Sequence, residues 1–405
     1  MRYPKVKIGS VCDVGRGSSP RPINNSAYFI GGEIPWIKIA DATASGKYIY
    51  QTKEVVNEYG ASFSRRLQPG SLIIATSGVS LGQIKFLGVE GCIHDGWLYA
   101  SNFNGVDKEF LYYHLLIMQE EFLGRAYGAA IQNINTEILR ESEIHLPPLP
   151  TQRKIASTLS AYDDLIENNL KRIKLLEEKA QLHYKELMQE MSYSKTKREA
   201  YLKDCLAFYI GGGWGEEDYK EKFTEPAYVI RGTDIPDAKK GEVKGVPFRY
   251  HKESNLASRN MQAGDIVFEV SGGSKGQPVG RSILITEKML QQFGKPVMCA
   301  SFCKMLRPNE NVTPEFFYLY LLASHENGVI AQYEKHSASN IVNYGFEEFI
   351  GEQKITIPKE TELKAFTEKV EPIFTLISTL GEHNSKLREA RDILLPKLMN
   401  GQIEV

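Results

Sequence analysis

The chain has 405 residues and contains one sequence pattern twice, which constrains its fold more than any other feature. Four matched segments occur in the same order: "IPWIKIAD" (34–41) with "AYVIRGTD" (227–234), "GSLIIATSGVSLGQIKFLG" (70–88) with "GDIVFEVSGGSKGQPVGRS" (264–282), "EFLYYHLL" (109–116) with "EFFYLYLL" (315–322), and "IHLPPLPTQRKIA" (144–156) with "ITIPKETELKAF" (355–366). The offset between matched segments rises steadily from 193 to 211 residues. A steady rise indicates an internal duplication followed by a few loop insertions.

Each copy is predicted to be a globular domain followed by a long helix. Short apolar runs such as "GSLIIATSG" and "GDIVFEVSG" are bounded by Gly and Ser, which is typical of strands. Short helices are expected at 109–122 and 314–327. Strands and helices do not alternate regularly, so the pattern favours an α+β chain with two similar mixed α/β domains over a doubly wound sheet.

Each long helix carries a seam of residues in unbroken 4-3 alternation, which is the spacing of a coiled coil. The seam residues are Ile155, Leu159, Tyr162, Ile166, Asn169, Ile173, Leu176, Ala180, His183 and Leu187 in the first helix, and Leu363, Phe366, Val370, Ile373, Ile377, Leu380, Asn384, Leu387, Arg391, Leu394 and Leu398 in the second. A helix that packs only on its own domain is the alternative. Two complementary seams in one chain favour mutual, antiparallel pairing and a pseudo-two-fold repeat.

In an antiparallel pair of helices, the residue numbers of any two facing residues add up to the same constant. A sum of 553 matches every step of one seam to the other, and it places Ile173 opposite Leu380 and Asn169 opposite Asn384. One buried polar layer of this kind fixes the register of a coiled coil. Registers shifted by whole heptads also satisfy the spacing, so the asparagine layer is a hypothesis.

Composition and charge narrow the class of protein. The net charge is −1, whereas a simple nucleic-acid-binding domain is often strongly basic, so DNA contacts would need local basic patches or partners that supply charge. The first residues contain no apolar run typical of a signal peptide, and no segment approaches a membrane span. Five scattered cysteines are typical of a reducing cytoplasm, and they form no pattern of zinc ligands.

The common catalytic motifs are missing from the sequence. The glycine-rich "SGGSKGQPVGRS" (271–282) lacks the spacing of a phosphate-binding loop, and no dinucleotide or methyl-donor loop follows a strand. His94 and Asp95 have no serine or cysteine nucleophile with an oxyanion turn beside them. We therefore expect no catalysis and no metal site in this chain.

Loops rich in basic, amide and aromatic side chains are the candidate DNA-reading surface, because these groups match base edges and phosphates. Matching loops fall at matching positions of the repeat but differ sharply in sequence. The candidates are Arg16, Ser18, Ser19, Arg21, Ser77, Gln83, Lys85, Arg125, Gln132, Asn133 and Asn135 in the first copy, and Trp214, Ser274, Lys275, Gln277, Arg281, Lys335, His336, Ser339, Asn340 and Asn343 in the second. For any one of them, a solvated loop position is the alternative.

The stretch "HLPPLPTQRKIASTLSAYDDLIENN", the long helix after it and the terminal "LLPKLMNGQIEV" resemble the specificity subunit of type I restriction-modification enzymes. The resemblance covers essentially the whole chain, although Glu362 or Leu363 stands where the second helix entry usually has glutamine. It implies target recognition domain 1 at 1–150, helical spacer 1 at 151–198, target recognition domain 2 at 199–358 and helical spacer 2 at 359–405, with the spacers paired in an antiparallel coiled coil.

The family implies a non-catalytic, cytoplasmic subunit that binds double-stranded DNA. Each recognition domain would read one half of a bipartite, asymmetric site, and the helices would set the spacing. Two methyltransferase subunits would dock on the helices, and restriction/translocase subunits would complete the enzyme. S-adenosylmethionine, ATP and Mg²⁺ would belong to those partners and not to this chain.

Two other functions are compatible with parts of the sequence. A fused methyltransferase-nuclease needs a methyl-donor loop and a catalytic tetrad, and the sequence has neither. A coiled-coil adaptor that bridges proteins without touching DNA needs no reading loops, and the many Gln, Asn, Ser and Arg residues in the loops argue mildly against it.

Overall fold

The computed structural model describes residues 3–43, 45–76, 81–128, 134–193, 197–272, 279–336 and 342–405. The chain forms two compact units, one made of Met1–Glu167 with Leu387–Val405 and the other of Asn168–Lys386. Among these residues, no helix has the length and apolar character needed to cross a bilayer. The division into four segments expected from the sequence stays a prediction.

The first unit contains eleven short strands in its described part and five helices that begin in it. The strands are β1 (Lys5–Lys7), β2 (Asp13–Arg16), β3 (Ile34–Ile37), β4 (Tyr48–Ile49), β5 (Glu54–Val56), β6 (Arg65–Leu67), β7 (Leu72–Ala75), β8 (Ile84–Leu87), β9 (Gly91–Ile93), β10 (Trp97–Ser101) and β11 (Glu143–His145). The helices are α1 (Ile39–Thr43), α2 (Glu58–Ala61), α3 (Lys108–Gly128), α4 (Thr136–Glu141) and the long α5 (Leu149–Tyr193).

The second unit begins within α5 and continues with twelve described strands and six helices. The strands are β12 (Arg198–Tyr201), β13 (Leu206–Gly211), β14 (Glu225–Ile230), β15 (Phe248–His251), β16 (Ile266–Glu269), β17 (Ser271–Gly272), β18 (Ser282–Leu284), β19 (Val297–Cys299), β20 (Cys303–Pro308), β21 (Glu334–His336), β22 (Val342–Tyr344) and β23 (Lys354–Ile357). The helices are α6 (Ile235–Ala238), α7 (Glu253–Arg259), α8 (Glu287–Phe293), α9 (Pro314–Glu326), α10 (Phe346–Glu352) and the long α11 (Glu360–Met399).

The sheets of the two units share a common strand order, as the sequence repeat predicts, with β4 and β6 added in the first unit and the sheet β17-β22-β21 added in the second. The order β2-β10-β7-β8 in the first unit corresponds to β13-β20-β16-β18 in the second. The order β5-β3-β9 corresponds to β15-β14-β19, and in both cases the middle strand is antiparallel to one neighbour and parallel to the other. A two-stranded antiparallel ladder, β1-β11 or β12-β23, leads into each long helix. The predicted α+β fold with an internal repeat is confirmed.

Segments far apart in sequence complete the core of the first unit. Ile155 and Leu159 of α5 and Leu395 and Leu398 of α11 lie in one apolar cluster with strands β7, β8 and β10. All four side chains are buried. Burial of a leucine side chain contributes about 2 kcal/mol, so the last residues of the chain stabilise a domain formed mainly by the first 145 residues.

Different side chains fix the starts of the two long helices. At the first, the fully buried Gln152 side chain accepts a hydrogen bond from the Asp107 amide (2.7 Å) and donates to the carbonyls of Gly105 (3.0 Å) and Pro147 (2.7 Å). At the second, the Glu362 carboxylate accepts from the Lys359 amide at 2.9 Å, in the manner of a helix cap. The departure from glutamine at the second entry is thus a change of capping chemistry.

The seam contains the polar layer predicted from its register. The Asn169 amide donates to the side-chain oxygen of Asn384 at 2.9 Å, and both residues are buried. The sum of 553 is therefore the register of the helices at this layer. Tyr162, Leu176, Leu387 and Leu394 are partly exposed, whereas the other apolar seam residues predicted above are buried.

A second polar layer was not predicted from the sequence. Asp163 of α5 accepts hydrogen bonds from Arg391 of α11 and from the Tyr113 hydroxyl, both at 2.5 Å, and its side chain is almost fully buried. The carboxylate takes the seam position expected for Tyr162, because the α-helical period of 3.6 residues drifts from a strict heptad. Losing one partner of a buried ion pair costs about 3–5 kcal/mol, so this layer also fixes the pairing.

Substituting one asparagine of the Asn169–Asn384 layer should destabilise the chain. Asn384→Leu leaves the buried Asn169 amide without its acceptor, and we expect a loss of about 1–3 kcal/mol in the free energy of unfolding. The double variant Asn169→Leu/Asn384→Leu should recover most of it, because two leucines pack well in a seam. Urea denaturation followed by circular dichroism measures both effects, and a single variant as stable as the wild type would contradict the layer.

Candidate nucleic-acid interface

The same backbone hydrogen bonds bring two loops together in each unit. In the first unit the loop after β2 is held by Gly17 N–H to the Trp97 carbonyl (2.8 Å) and Ser18 N–H to the Ile93 carbonyl (3.2 Å). In the second unit Gly212 and Gly213 make the equivalent bonds to Cys303 and Cys299, both at 2.9 Å. The loop after β2 therefore lies against the turn between β9 and β10, and the loop after β13 lies against the turn between β19 and β20.

Asp95 organises this surface in the first unit. Its carboxylate accepts from the Ser19 hydroxyl at 3.0 Å and from Arg21 at 2.5 Å, while Arg16 donates to its backbone carbonyl at 2.8 Å. The His94 ring nitrogen lies 2.9 Å from the same carboxylate. Three predicted reading residues thus converge on one acid that the sequence did not single out.

Burial and the neighbouring charges shift the pKa of Asp95 in opposite directions. Partial burial acts to raise the pKa of Asp95, but His94, Ser19 and Arg21 together hold that pKa below its usual value. Burial lowers the pKa of His94, so its ring is neutral near pH 7. The Arg21 side chain is 68% exposed, which leaves it able to contact a phosphate or base while Asp95 orients it.

Other predicted residues of the first unit have structural roles or lack a partner. Asn135 caps α4, since its side chain accepts from the Ile138 amide at 2.8 Å. The Lys85 ammonium donates to the carbonyls of Ser45 (2.8 Å) and Gly46 (2.6 Å), a geometry that favours a structural role over a base contact. The side-chain oxygen of Gln83 is buried and has no hydrogen-bond partner in the described chain.

A groove of about 650 Å³ marks the equivalent surface of the second unit. Trp214, Arg231, Glu269, Arg281 and Phe302 line it, and two of these, Trp214 and Arg281, were predicted from the sequence. Phe302 is 62% exposed on a turn whose carbonyl accepts from the amide of Val270 at 2.9 Å. Phe302 and the 40% exposed Trp214 supply the exposed aromatic surface of this groove.

Each arginine of the groove is held by a carboxylate. Arg231 donates to Asp234 through Nε (2.9 Å) and Nη2 (2.7 Å), and Arg281 donates to Glu269 through Nε (2.8 Å) and Nη2 (2.6 Å). The hydrogen bonds to Glu269 raise the pKa of Arg281 above its usual value. The two pairs have no net charge together, which makes the groove a poor phosphate site.

The remaining predicted residues lie at the edge of the described chain or outside it. Lys335, on β21, forms an exposed ion pair with Glu348 at 2.5 Å. The positions of Ser77, Gln132, Asn133, Ser274, Lys275, Gln277, Ser339 and Asn340 lie outside the described residues, as do the side chains of Arg125, His336 and Asn343.

Sequence reasoning missed Asp95, Arg231, Glu269 and Phe302. The sequence contained a signal for two of them, Arg231 and Glu269. Arg231 lies three residues before Asp234, which matches Asp41 in the repeat. Each aspartate accepts a hydrogen bond from the backbone N–H three residues earlier, Asp41 from Lys38 and Asp234 from Arg231, both at 2.8 Å. Glu269 ends the apolar run "DIVFE", and an acid in such a run indicates a buried partner. Among the described residues, no group of three or more His, Cys, Asp or Glu side chains could hold a metal ion.

Comparison with known proteins matches this geometry to one family. Residues 2–178 match the family model described as type I restriction modification DNA specificity domain. The type I restriction enzyme MjaIX specificity subunit of Methanocaldococcus jannaschii is 26% identical over 98% of this chain and 93% of its own length. The MjaVIII specificity subunit of the same organism is 21% identical over 93% of this chain and 91% of its own length.

Residues 2–178 therefore match a type I restriction-modification DNA specificity domain, and the chain is similar over nearly its whole length to specificity subunits of type I restriction enzymes. The crystal structure of a type I restriction-modification system S subunit from M. genitalium shares the fold, with a TM-score of 0.56 and 18% identity over 98% of this chain and 96% of that one. Specificity subunits are non-catalytic, and recognition of a DNA sequence is the general role of the family.

The stability contributed at Lys85 should depend on pH. Burial lowers the pKa of Lys85 from 10.5 to about 8, so the unfolded chain binds more protons than the folded chain between these values. Stability that depends on this lysine should therefore rise as pH increases from about 8 to about 10. Urea denaturation of the wild type and Lys85→Met across this range measures it, and a constant difference between the two proteins would contradict the buried-lysine geometry.

Proposed function

We propose that this chain is a specificity subunit that reads a bipartite, asymmetric DNA site, with one half-site for each of its two domains. The observation that carries the proposal is the repeated fold with unlike side chains at equivalent positions. Ser19 and Asp95 in the first unit correspond, through the same backbone bonds, to Trp214 and Ser301 in the second. Identical scaffolds with different contact groups suit two readers of different sequences.

The helices suit a role in spacing the half-sites. Both α5 and α11 are continuous, with 45 and 40 residues, and at 1.5 Å per residue each is about 60 Å or more long. Their register is fixed by Asn169–Asn384 and by Asp163–Arg391. A helical pair of fixed register would hold the gap between half-sites constant, so that the gap depends on helix length and not on base contacts.

The partners of the complete enzyme also belong to the proposal. Two methyltransferase subunits would dock along the helices, and restriction/translocase subunits would join them. S-adenosylmethionine, ATP and Mg²⁺ would be bound by those partners. The net charge of −1 fits this arrangement, since subunits that close around the duplex can supply further phosphate contacts.

Lengthening the helical pair should change the gap alone. Seven residues are inserted in α5 between 168 and 169, and seven in α11 between 384 and 385. Because both helices lengthen equally at facing positions, the residues on either side of the insertions keep their partners and their packed contacts. Seven residues add about 10 Å, which corresponds to about three base pairs at ~3.4 Å each. We expect the methylated motif to keep both half-sites and gain about three unread base pairs between them.

Methylation-sensitive sequencing of a host that carries the lengthened subunit measures the motif. An unchanged gap, or a changed half-site, would contradict the spacing role. Insertion in α5 alone is the matched control, because it breaks the Asn169–Asn384 register and should abolish methylation.

DNA binding itself is tested by a salt series. The subunit purified with its methyltransferase partners should bind duplex DNA with an affinity that falls by roughly 10³-fold between about 50 and 200 mM salt. A gel-shift titration measures this. Failure to bind DNA at any salt concentration would favour a protein–protein adaptor instead.

A further inference from the structure

Gln83 and Arg281 occupy the same position in the two domains. In the first, Ala75 N–H donates to the Gln83 carbonyl (2.8 Å) and Gly82 N–H to the Ala75 carbonyl (3.0 Å). In the second, Glu269 N–H donates to the Arg281 carbonyl (2.9 Å) and Gly280 N–H to the Glu269 carbonyl (3.0 Å). Each is the residue before the second strand of a β-hairpin, β7–β8 or β16–β18, and follows a glycine with positive φ.

The neighbouring residues differ in a complementary way. In the second domain Glu269 fits because position 232 is glycine: a Cβ there would lie 2.4 Å from the Glu269 carboxylate. In the first domain the sizes of the two corresponding residues are reversed. The small Ala75, across from Gln83, corresponds to Glu269, and the larger Ile39 corresponds to Gly232. In each domain, the two residues beside Gln83 or Arg281 are therefore complementary in size, one small and one large.

The chemistry of the two side chains matches two different bases. An arginine held side-on by a carboxylate is fixed in direction, and the far edge of its guanidinium carries the parallel N–H donors that match guanine O6 and N7. A glutamine amide matches adenine N6 and N7. The Gln83 oxygen is buried, whereas Arg281 lines the groove of the second domain, so Arg281 is the residue placed to contact a base.

We propose that Arg281 is a specificity-determining residue, which reads a guanine in the second half-site. The inference rests on the proposed function and makes it more specific. Glu269 is a positioning residue, because it acts through Arg281. Phe302 and Trp214 border the same groove and supply the apolar contact surface beside the guanine.

The decisive variant gives the second domain the chemistry of the first. Glu269→Ala/Arg281→Gln removes the buried acid together with its partner, so no unpaired carboxylate is left, and Ala75 with Gln83 shows that this pair is compatible with the fold. The subunit is purified with the methyltransferase subunits of its own system and used to select from a randomised duplex library. Thermal denaturation and size-exclusion chromatography check that the variant complex is intact.

We expect the wild type to select a bipartite motif with a guanine in the second half-site. The double variant should prefer adenine there, with about a 10- to 100-fold change in discrimination at that one position, and should keep the first half-site. Arg281→Lys retains the charge but not the fork, so it should lose the same preference. Arg198→Gln, at an exposed arginine on β12 that contacts Asn311, is the matched control and should leave the motif unchanged.

Three results would overturn the inference. The first is a second half-site that the double variant leaves unchanged, and the second is a wild-type second half-site without a G·C pair. The third is a uniform loss of affinity for all sequences, which is the behaviour of a phosphate contact. In each case a bipartite wild-type motif would leave the proposed function intact, whereas selection of no bipartite motif by the wild type would defeat the proposed function itself.

Discussion

A single buried hydrogen bond, from Asn169 to Asn384, sets the register of the two helices on which both units depend. An amide pair in an apolar seam disfavours other registers, because any shift would bury each asparagine against carbon. The Asp163–Arg391 pair reinforces the same alignment with a charged layer. Both layers cost desolvation, so they contribute more to choosing one pairing than to stability.

The register has consequences for each core. Leu395 and Leu398 complete the first unit, although they lie near the end of the chain. In the second unit Ile173 and Ala180 of α5 share a core with Val370 and Ile373 of α11. A domain whose core includes both helices can keep its strands fixed while its loops vary, and the topology common to both units fits that arrangement.

Periodic features were predictable from the sequence, and single tertiary contacts were not. The repeat and the long helices follow from spacing, and the asparagine layer was one of the registers that the spacing allowed. The hydrogen bonds of Lys85 were not predictable, because only the fold brings the carbonyls of Ser45 and Gly46 to its ammonium. Asp163 was missed because a heptad pattern assigns its neighbour Tyr162 to the seam.

The equivalence of Gln83 and Arg281 was hidden for a different reason. Their offset is 198 residues, whereas the sequence match of 70–88 with 264–282 has an offset of 194, because the intervening loop differs in length between the copies. Backbone hydrogen bonds align the two positions where sequence does not. Side chains at the base of a hairpin are held by the paired backbone, and rigid placement favours selective base contacts.

Methylation-sensitive sequencing of the host genome, with and without this chain, tests the central claim most directly. The account predicts an asymmetric, bipartite methylated motif with a fixed unread gap, and predicts that this motif disappears when the chain is deleted. A methylation pattern that survives the deletion, or a lost motif that is continuous and palindromic, would contradict two unlike readers on one helical scaffold.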